Sequence, residues 1–325
     1  MSKIIIGIHG LGNKPQKDLL EKWWISAIEE GFKLTGIKAP KFKLELVYWA
    51  DLIYDQPENL EIIDKKDPYF LEEPYTLSPH PKAPEKDQSF RKKMLQFIES
   101  QLEKVFLNDD LSLNYKGVND IIMHRYFKEL EMYYSNTGKQ KTLKANTRRR
   151  LVNMLEKYKF DDILLIGHSM GSIIAYDVLQ FELKRQKIHT FVTIGSPLGL
   201  PFIRTKITDE MKENYENLTI RAPYCISNAW LNFADLEDKV ALNFDLSNDF
   251  APNSKGILPI DFEIINDYES RGVKNPHKSF GYLRNSEFIH QLDSFLKEKT
   301  PFSFKKLLKS LQKIRHQIKY KKTKN

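Results

Sequence analysis

Ser169 lies in Gly167-His168-Ser169-Met170-Gly171, and the two glycines determine what chemistry that serine can do. A hydroxyl flanked by residues without side chains can ride on a sharply turned backbone, where bulk at either flank would strike the neighbouring strand and helix. Ahead of it Ile163, Leu164, Leu165 and Ile166 form an unbroken apolar run, the pattern of a strand buried on both faces of a parallel sheet. Behind it Ile173, Ile174, Val178 and Leu179 recur at helical spacing. Strand, tight turn and helix lift the hydroxyl clear of the sheet. They also set the Met170 N–H at a helix N-terminus, where it can meet a developing oxyanion. A serine serving only as an N-cap would not need glycine at both flanks. The chemistry this predicts is nucleophilic attack on a carbonyl carbon.

Such a nucleophile needs a base to take its proton and an acid to orient the base. The strand–elbow–helix pattern resembles the α/β-hydrolase superfamily of serine esterases and lipases, where the chain order is Ser, acid, His. Four histidines follow Ser169. His189 opens a strand ahead of any plausible acid, His290 falls in a helical pattern and His316 in a basic tail. His277, in the proline-marked loop Asn275-Pro276-His277-Lys278, stands where the resemblance puts the base. The acid should end the intervening strand Trp230–Ala234. Asp238 is the expected residue and Asp235 the alternative. Asp238-Lys239-Val240-Ala241 resembles the Asp-Pro-Val-Ala turn of some intracellular phospholipases, with Lys239 in place of the proline. His9-Gly10-Leu11-Gly12 after the first strand resembles a lipase oxyanion loop. That resemblance gives the Leu11 N–H as the second oxyanion donor and His9 as a support beneath the loop.

These residues need a scaffold. Lys3 to Ile8 reads as a first strand. A helix over about 16–34 carries Leu19, Leu20, Trp23, Trp24, Ala27, Ile28 and Phe32 on one side. Phe42, Leu44, Leu46 and Tyr48 alternate as a strand, and Thr190–Ile194 and Asp261–Asn266 read as later strands. Gly195-Ser196-Pro197-Leu198 resembles a lipase turn that lines the pocket. The fold class expected is α/β, a mostly parallel sheet flanked by helices in the α/β-hydrolase manner. Residues 1–51 and 147–302 would form that core. Residues 52–146, broken by six prolines and then helix-like near 88–107 and 118–134, read as a helical cap insertion.

The net charge of +8 is concentrated in one place. Residues 303–325 hold nine Lys or Arg and no acid, so subtracting them from +8 leaves −1 for residues 1–302. A nucleic-acid partner therefore loses its electrostatic basis. In that tail Phe304, Leu307, Leu308, Leu311, Ile314 and Ile318 recur at helical spacing. The tail reads either as a helix lying on an anionic membrane surface or as one docked on the body. One cysteine, Cys225, permits no internal disulfide, and the N-terminal apolar run is too short for a signal segment, so a cytoplasmic location is expected. No Cys/His metal spacing is present, and neither metal nor cofactor is expected. The function expected is hydrolysis of carboxylic, lipid-like esters through an acyl-enzyme. A non-catalytic scaffold binding lipid or protein is the alternative. An amidase, thioesterase or acyltransferase would share every residue named.

Overall fold

The computed structural model describes residues 2–79, 106–107, 113–114, 130–135, 142–183, 186–238, 240–241 and 245–298. The tail 303–325, most of both helix-like stretches expected in the insertion, and Lys239 lie outside the described residues.

Six parallel strands form the sheet. They are β1 (Lys3–Ile8), β2 (Leu44–Val47), β3 (Asp162–His168), β4 (Ile188–Ile194), β5 (Ile226–Asp235) and β6 (Pro259–Ile264), in the spatial order β2-β1-β3-β4-β5-β6. Every neighbouring pair runs parallel, with Ile5 opposite Leu44 on one side of β1 and Leu164 on the other. Side chains alternate between the two faces. Ile4, Ile6, Ile163 and Leu165 enter one apolar layer, and Ile5, Leu164 and Ile166 enter the other. A strand buried on both sides has no polar position to spare, which is why the Ile163–Ile166 run is uninterrupted.

Helices cover both faces. Over the first layer lie α2 (Leu143–Lys157), α3 (Met170–Asp177) and α4 (Pro201–Asn214), through Leu151, Leu155, Ile173, Ile174, Ile203 and Ile207. Over the second lie α1 (Lys17–Thr35), α5 (Ser279–Arg284) and α6 (Ser286–Lys297). In α1 the buried residues Leu20, Trp24, Ala27, Ile28, Gly31 and Phe32 make one stripe, and Gly36 ends the helix in the left-handed region. Trp24, Trp49 and Trp230 are fully buried. Each such ring removes about 150–250 Å² from water, roughly 4–6 kcal/mol at about 25 cal/mol per Å². The exposed pairs, such as Lys157–Glu45, contribute about 0–1 kcal/mol each. The two apolar layers therefore hold the fold.

Helix α2 starts at Leu143, so it spans the expected start of the second core segment at 147. Phe106–Leu107 pairs with Leu113–Asn114 as a small antiparallel ribbon, where the pattern had predicted the end of a helix. Residues 130–134 are helical, and Tyr133 is joined to the core through buried polar contacts. Its hydroxyl meets Asp177 at 2.8 Å, and Arg148 bridges Asp177 at 2.7 Å and Glu210 at 2.5 Å. Among the described residues no helix is long and apolar enough to cross a membrane.

Candidate active site

The C-terminal ends of the parallel strands meet at one edge, where a doubly wound sheet binds its ligands. β3 ends at His168 and delivers Ser169 onto the first turn of α3. Ser169 has φ 53° and ψ −124°, a strained conformation for a residue with a side chain. Two glycines make that turn fit. A Cβ on Gly167 would lie 2.6 Å from the Ser172 Cα, and one on Gly171 would lie 2.3 Å from the Ile8 carbonyl oxygen at the end of β1. Beneath the elbow, the Ser172 hydroxyl donates to the Ser169 carbonyl at 2.6 Å and pairs with the Ser196 hydroxyl at 2.7 Å. The Gly-Ser-Pro-Leu turn thus lies under the elbow, with Leu198 fully buried.

The structure brings Ser169, His277 and Asp238 together. His277 Nε2 is 2.9 Å from Ser169 Oγ, and His277 Nδ1 is 2.8 Å and 2.9 Å from the two oxygens of Asp238. A carboxylate can only accept, so Nδ1 carries the hydrogen and Nε2 is free to accept from the serine hydroxyl. Asp238 is buried, and its Oδ1 also accepts from the Val240 N–H at 2.9 Å and the Ala241 N–H at 3.3 Å. Its Oδ2 accepts from the Tyr282 hydroxyl at 2.7 Å. Asp235 is placed differently. It closes β5, accepts from the Asn266 N–H at 2.5 Å and the Glu237 N–H at 2.7 Å, and makes no hydrogen bond to His277. Burial pushes its carboxyl up to about 7, against those two amides, which favour the charged form.

The loop that follows β1 lies on the other side of Ser169. The His9 ring stacks on Trp49 with centroids 5.2 Å apart. His9 Nε2 accepts from the Trp49 N–H at 3.0 Å, and Nδ1 donates to the Gly10 carbonyl at 2.8 Å. Burial, then the Lys14 charge, lower this imidazole to about 3, so it is neutral. In a trans peptide the C=O and the following N–H point opposite ways. Anchoring the Gly10 carbonyl on His9 therefore turns the Leu11 N–H away from His9. Gly10 lies close to Ser169: a Cβ there would come within 2.7 Å of the Ser169 Cβ. Met170 is the first residue of α3, so its N–H has no partner within the helix. The Lys14 ammonium caps the loop by donating to the carbonyls of Leu11, Gly12 and Asn13.

The His277 loop is tied down on several sides. Its N–H donates to Asn275 Oδ1 at 3.0 Å, and the Asn266 amide donates to the carbonyls of Pro276 and Lys278, each at 2.8 Å. His168 Nε2 is 2.7 Å from the His277 carbonyl oxygen. Residues 73–78 lie across the outside as a strap. Asn275 donates to Glu73 at 2.6 Å, Lys278 pairs with Glu73 at 3.0 Å, Tyr268 donates to the Pro74 carbonyl at 2.6 Å and Arg284 to the Thr76 carbonyl at 2.7 Å. Sequence reasoning missed Tyr282, Asn266, His168 and this strap. Only the Asn-x-His spacing of Asn275 and His277 carried a local signal, that of an Asx turn. No cluster of three or more His, Cys, Asp or Glu side chains able to hold a metal occurs among the described residues.

Residues 130–222 match the PGAP1-like alpha/beta domain, a stretch that carries the elbow and Ser169 but not Asp238 or His277. A Saccharomyces cerevisiae protein named as a probable mitochondrial phospholipase is 34% identical over 119 residues, which is 34% of this chain and 16% of the yeast protein. The match thus spans about a sixth of that relative. The parallel sheet, its flanking helices and these two matches agree on an α/β-hydrolase fold.

Proposed function

We propose that the chain is a serine hydrolase that cleaves carboxylic esters of lipid-like molecules through an acyl-enzyme. Ser169 Oγ attacks the ester carbonyl carbon as its proton passes to His277 Nε2. Asp238 holds the Nδ1–H tautomer and faces the imidazolium as it forms. The N–H groups of Leu11 and Met170 stabilise the oxyanion. Collapse of the tetrahedral intermediate breaks the bond to the alcohol oxygen, which takes the proton from His277. Water, deprotonated by the same imidazole, then releases the acid and frees Ser169.

The observation that carries this reading is one imidazole within 2.9 Å of both a strained, elbow-mounted serine and a buried carboxylate. The phospholipase name of the yeast relative supports a lipid ester as substrate. The single cysteine supports an intracellular site of action. The basic amphipathic pattern of residues 303–325 supports docking on an anionic lipid surface, and deleting them should weaken binding to phosphatidylserine vesicles. Hydrolysis of p-nitrophenyl esters and of phospholipids of graded chain length tests the central claim. Ser169→Ala and His277→Ala should abolish turnover while leaving the fold intact, and wild-type rates in either variant would refute it. A fluorophosphonate probe should label Ser169, which a non-catalytic scaffold would leave unmodified.

A further inference from the structure

We propose that His168, the residue beside the nucleophile, is a positioning residue that fixes the catalytic base against the elbow through the His277 carbonyl. This rests on the serine hydrolase reading and adds a role to it. The base sits on a loop between β6 and α5, outside both elements. Without a direct tie, the Ser169–His277 separation would be set by a longer route, across β3, β4 and β5 to Asp238, or on through β6 and residues 265–277, where Glu269–Ser270 pairs with Val273–Lys274. Each interface on that route adds its own displacement. His168 short-circuits it. Its Nε2 lies 2.7 Å from the His277 carbonyl oxygen, and the two rings are 5.0 Å apart at 35°. The other ties on the loop come from Asn275 and Asn266 on its own side, from Asp238 after β5 and from Glu73 on the strap. Only His168 reaches it from the nucleophile's strand.

A carbonyl can only accept, so His168 Nε2 must carry the hydrogen. The ring also lies beside the oxyanion loop: a Cβ on Gly10 would stand 3.1 Å from His168 Nδ1. One buried imidazole therefore adjoins all three parts of the site. Its charge state suits the role. A proton on His168 would set a cation against His277 just as that ring becomes imidazolium. Burial, with the nearby His277, holds His168 well below the ordinary histidine range, so it stays neutral through the cycle.

The test compares His168→Phe, which keeps a ring and loses the donor, with His168→Gln, whose amide N–H replaces Nε2–H. Esterase kinetics and the rate of fluorophosphonate labelling are the readouts. A misplacement of about 1 Å costs on the order of 10²-fold. His168→Phe should therefore lose roughly 10–100-fold in kcat and in labelling rate, with KM nearly unchanged, and His168→Gln should recover most of that loss. A His168→Phe variant as fast as wild type, or a His168→Gln variant as slow as His168→Phe, overturns the inference. Nitrogen-15 NMR of the wild type supplies a measurement independent of either variant's folding. His168 should be the neutral Nε2–H tautomer, and an Nδ1–H tautomer or a charged ring refutes the role. A wild type that never labels would refute the hydrolase reading itself, whereas a labelled wild type with an indifferent His168→Phe refutes only this inference.

Discussion

Tyr282→Phe isolates the hydrogen bond that holds the acid. The Tyr282 hydroxyl donates to Asp238 Oδ2 at 2.7 Å and accepts from the Asp235 N–H at 3.1 Å, and its ring is fully buried. Burial and the Asp238 charge keep this phenol well above its usual range, so it remains a donor. Phenylalanine preserves the packing, and the change is polar alone. A hydrogen bond to a charged group contributes about 1.5–3 kcal/mol, and a buried N–H left unpaired costs about 1–3 kcal/mol. One oxygen serves both partners and the two effects overlap, so we expect a loss of about 2–4 kcal/mol. At about 2.1 cal/mol/K of unfolding entropy per residue, a chain of this length loses about 1.5 °C in Tm per kcal/mol, or about 3–6 °C here. Differential scanning calorimetry reads that directly. Asp238 Oδ1 keeps the Val240 and Ala241 amides, so His277 stays oriented and kcat should fall by no more than about 10-fold. A Tm within about 1 °C of wild type would refute the reasoning, because the hydroxyl could not then be satisfying two buried partners.

Three further outcomes are expected. Asp238→Asn should cost about 10⁴-fold in kcat by presenting the wrong group to His277 Nδ1, whereas Asp235→Asn should lower stability and spare most of the rate; the reverse result would make Asp235 the acid. Ser169→Gly should be more stable than Ser169→Ala by about 1 kcal/mol in urea unfolding, since both lose the hydroxyl and only glycine relieves the positive φ; equal stabilities would mean the elbow holds no strain. His9 ionises at about 3 in the fold against 6.5 for a free side chain. Its neutral form contributes fully above about pH 6.5, and that contribution is lost as the pH falls toward about 3. Between about pH 8 and about pH 5 wild type should lose about 2 kcal/mol more than His9→Gln, and parallel losses would contradict a neutral buried ring.

The parts of the site legible in the sequence are those whose chemistry leaves a local mark. The elbow is readable because a strained serine demands small neighbours on both sides, and the strand before it because burial on two faces leaves no polar position. His277 is readable because a proline-marked loop before the last helices can carry a part-buried imidazole to the sheet edge. Tyr282 and His168 carry no such mark. Tyr282 lies in a short buried helix and reads as core, and its partner Asp238 is 44 positions away. His168 occupies a place in the elbow that the turn geometry leaves open, and its partner is 109 positions away. The strap over residues 73–78 is irregular and proline-broken, and it becomes visible through partners distant in sequence, Glu30 on α1 and Asn275 and Arg284 some 200 residues later. Strand edges were read to within a few residues, as at β6, where pairing with β5 starts the strand at Pro259 rather than Asp261.

Because Glu73, Pro74 and Thr76 are laced to Asn275, Tyr268 and Arg284, the freedom to remodel this protein has a border. Exchanging sequence between residues 80 and 105 leaves those knots tied. A graft that starts a few residues earlier unpicks the lacing and loosens the imidazole from outside. The proposed catalytic unit, to be transplanted whole, therefore includes six residues that perform no chemistry.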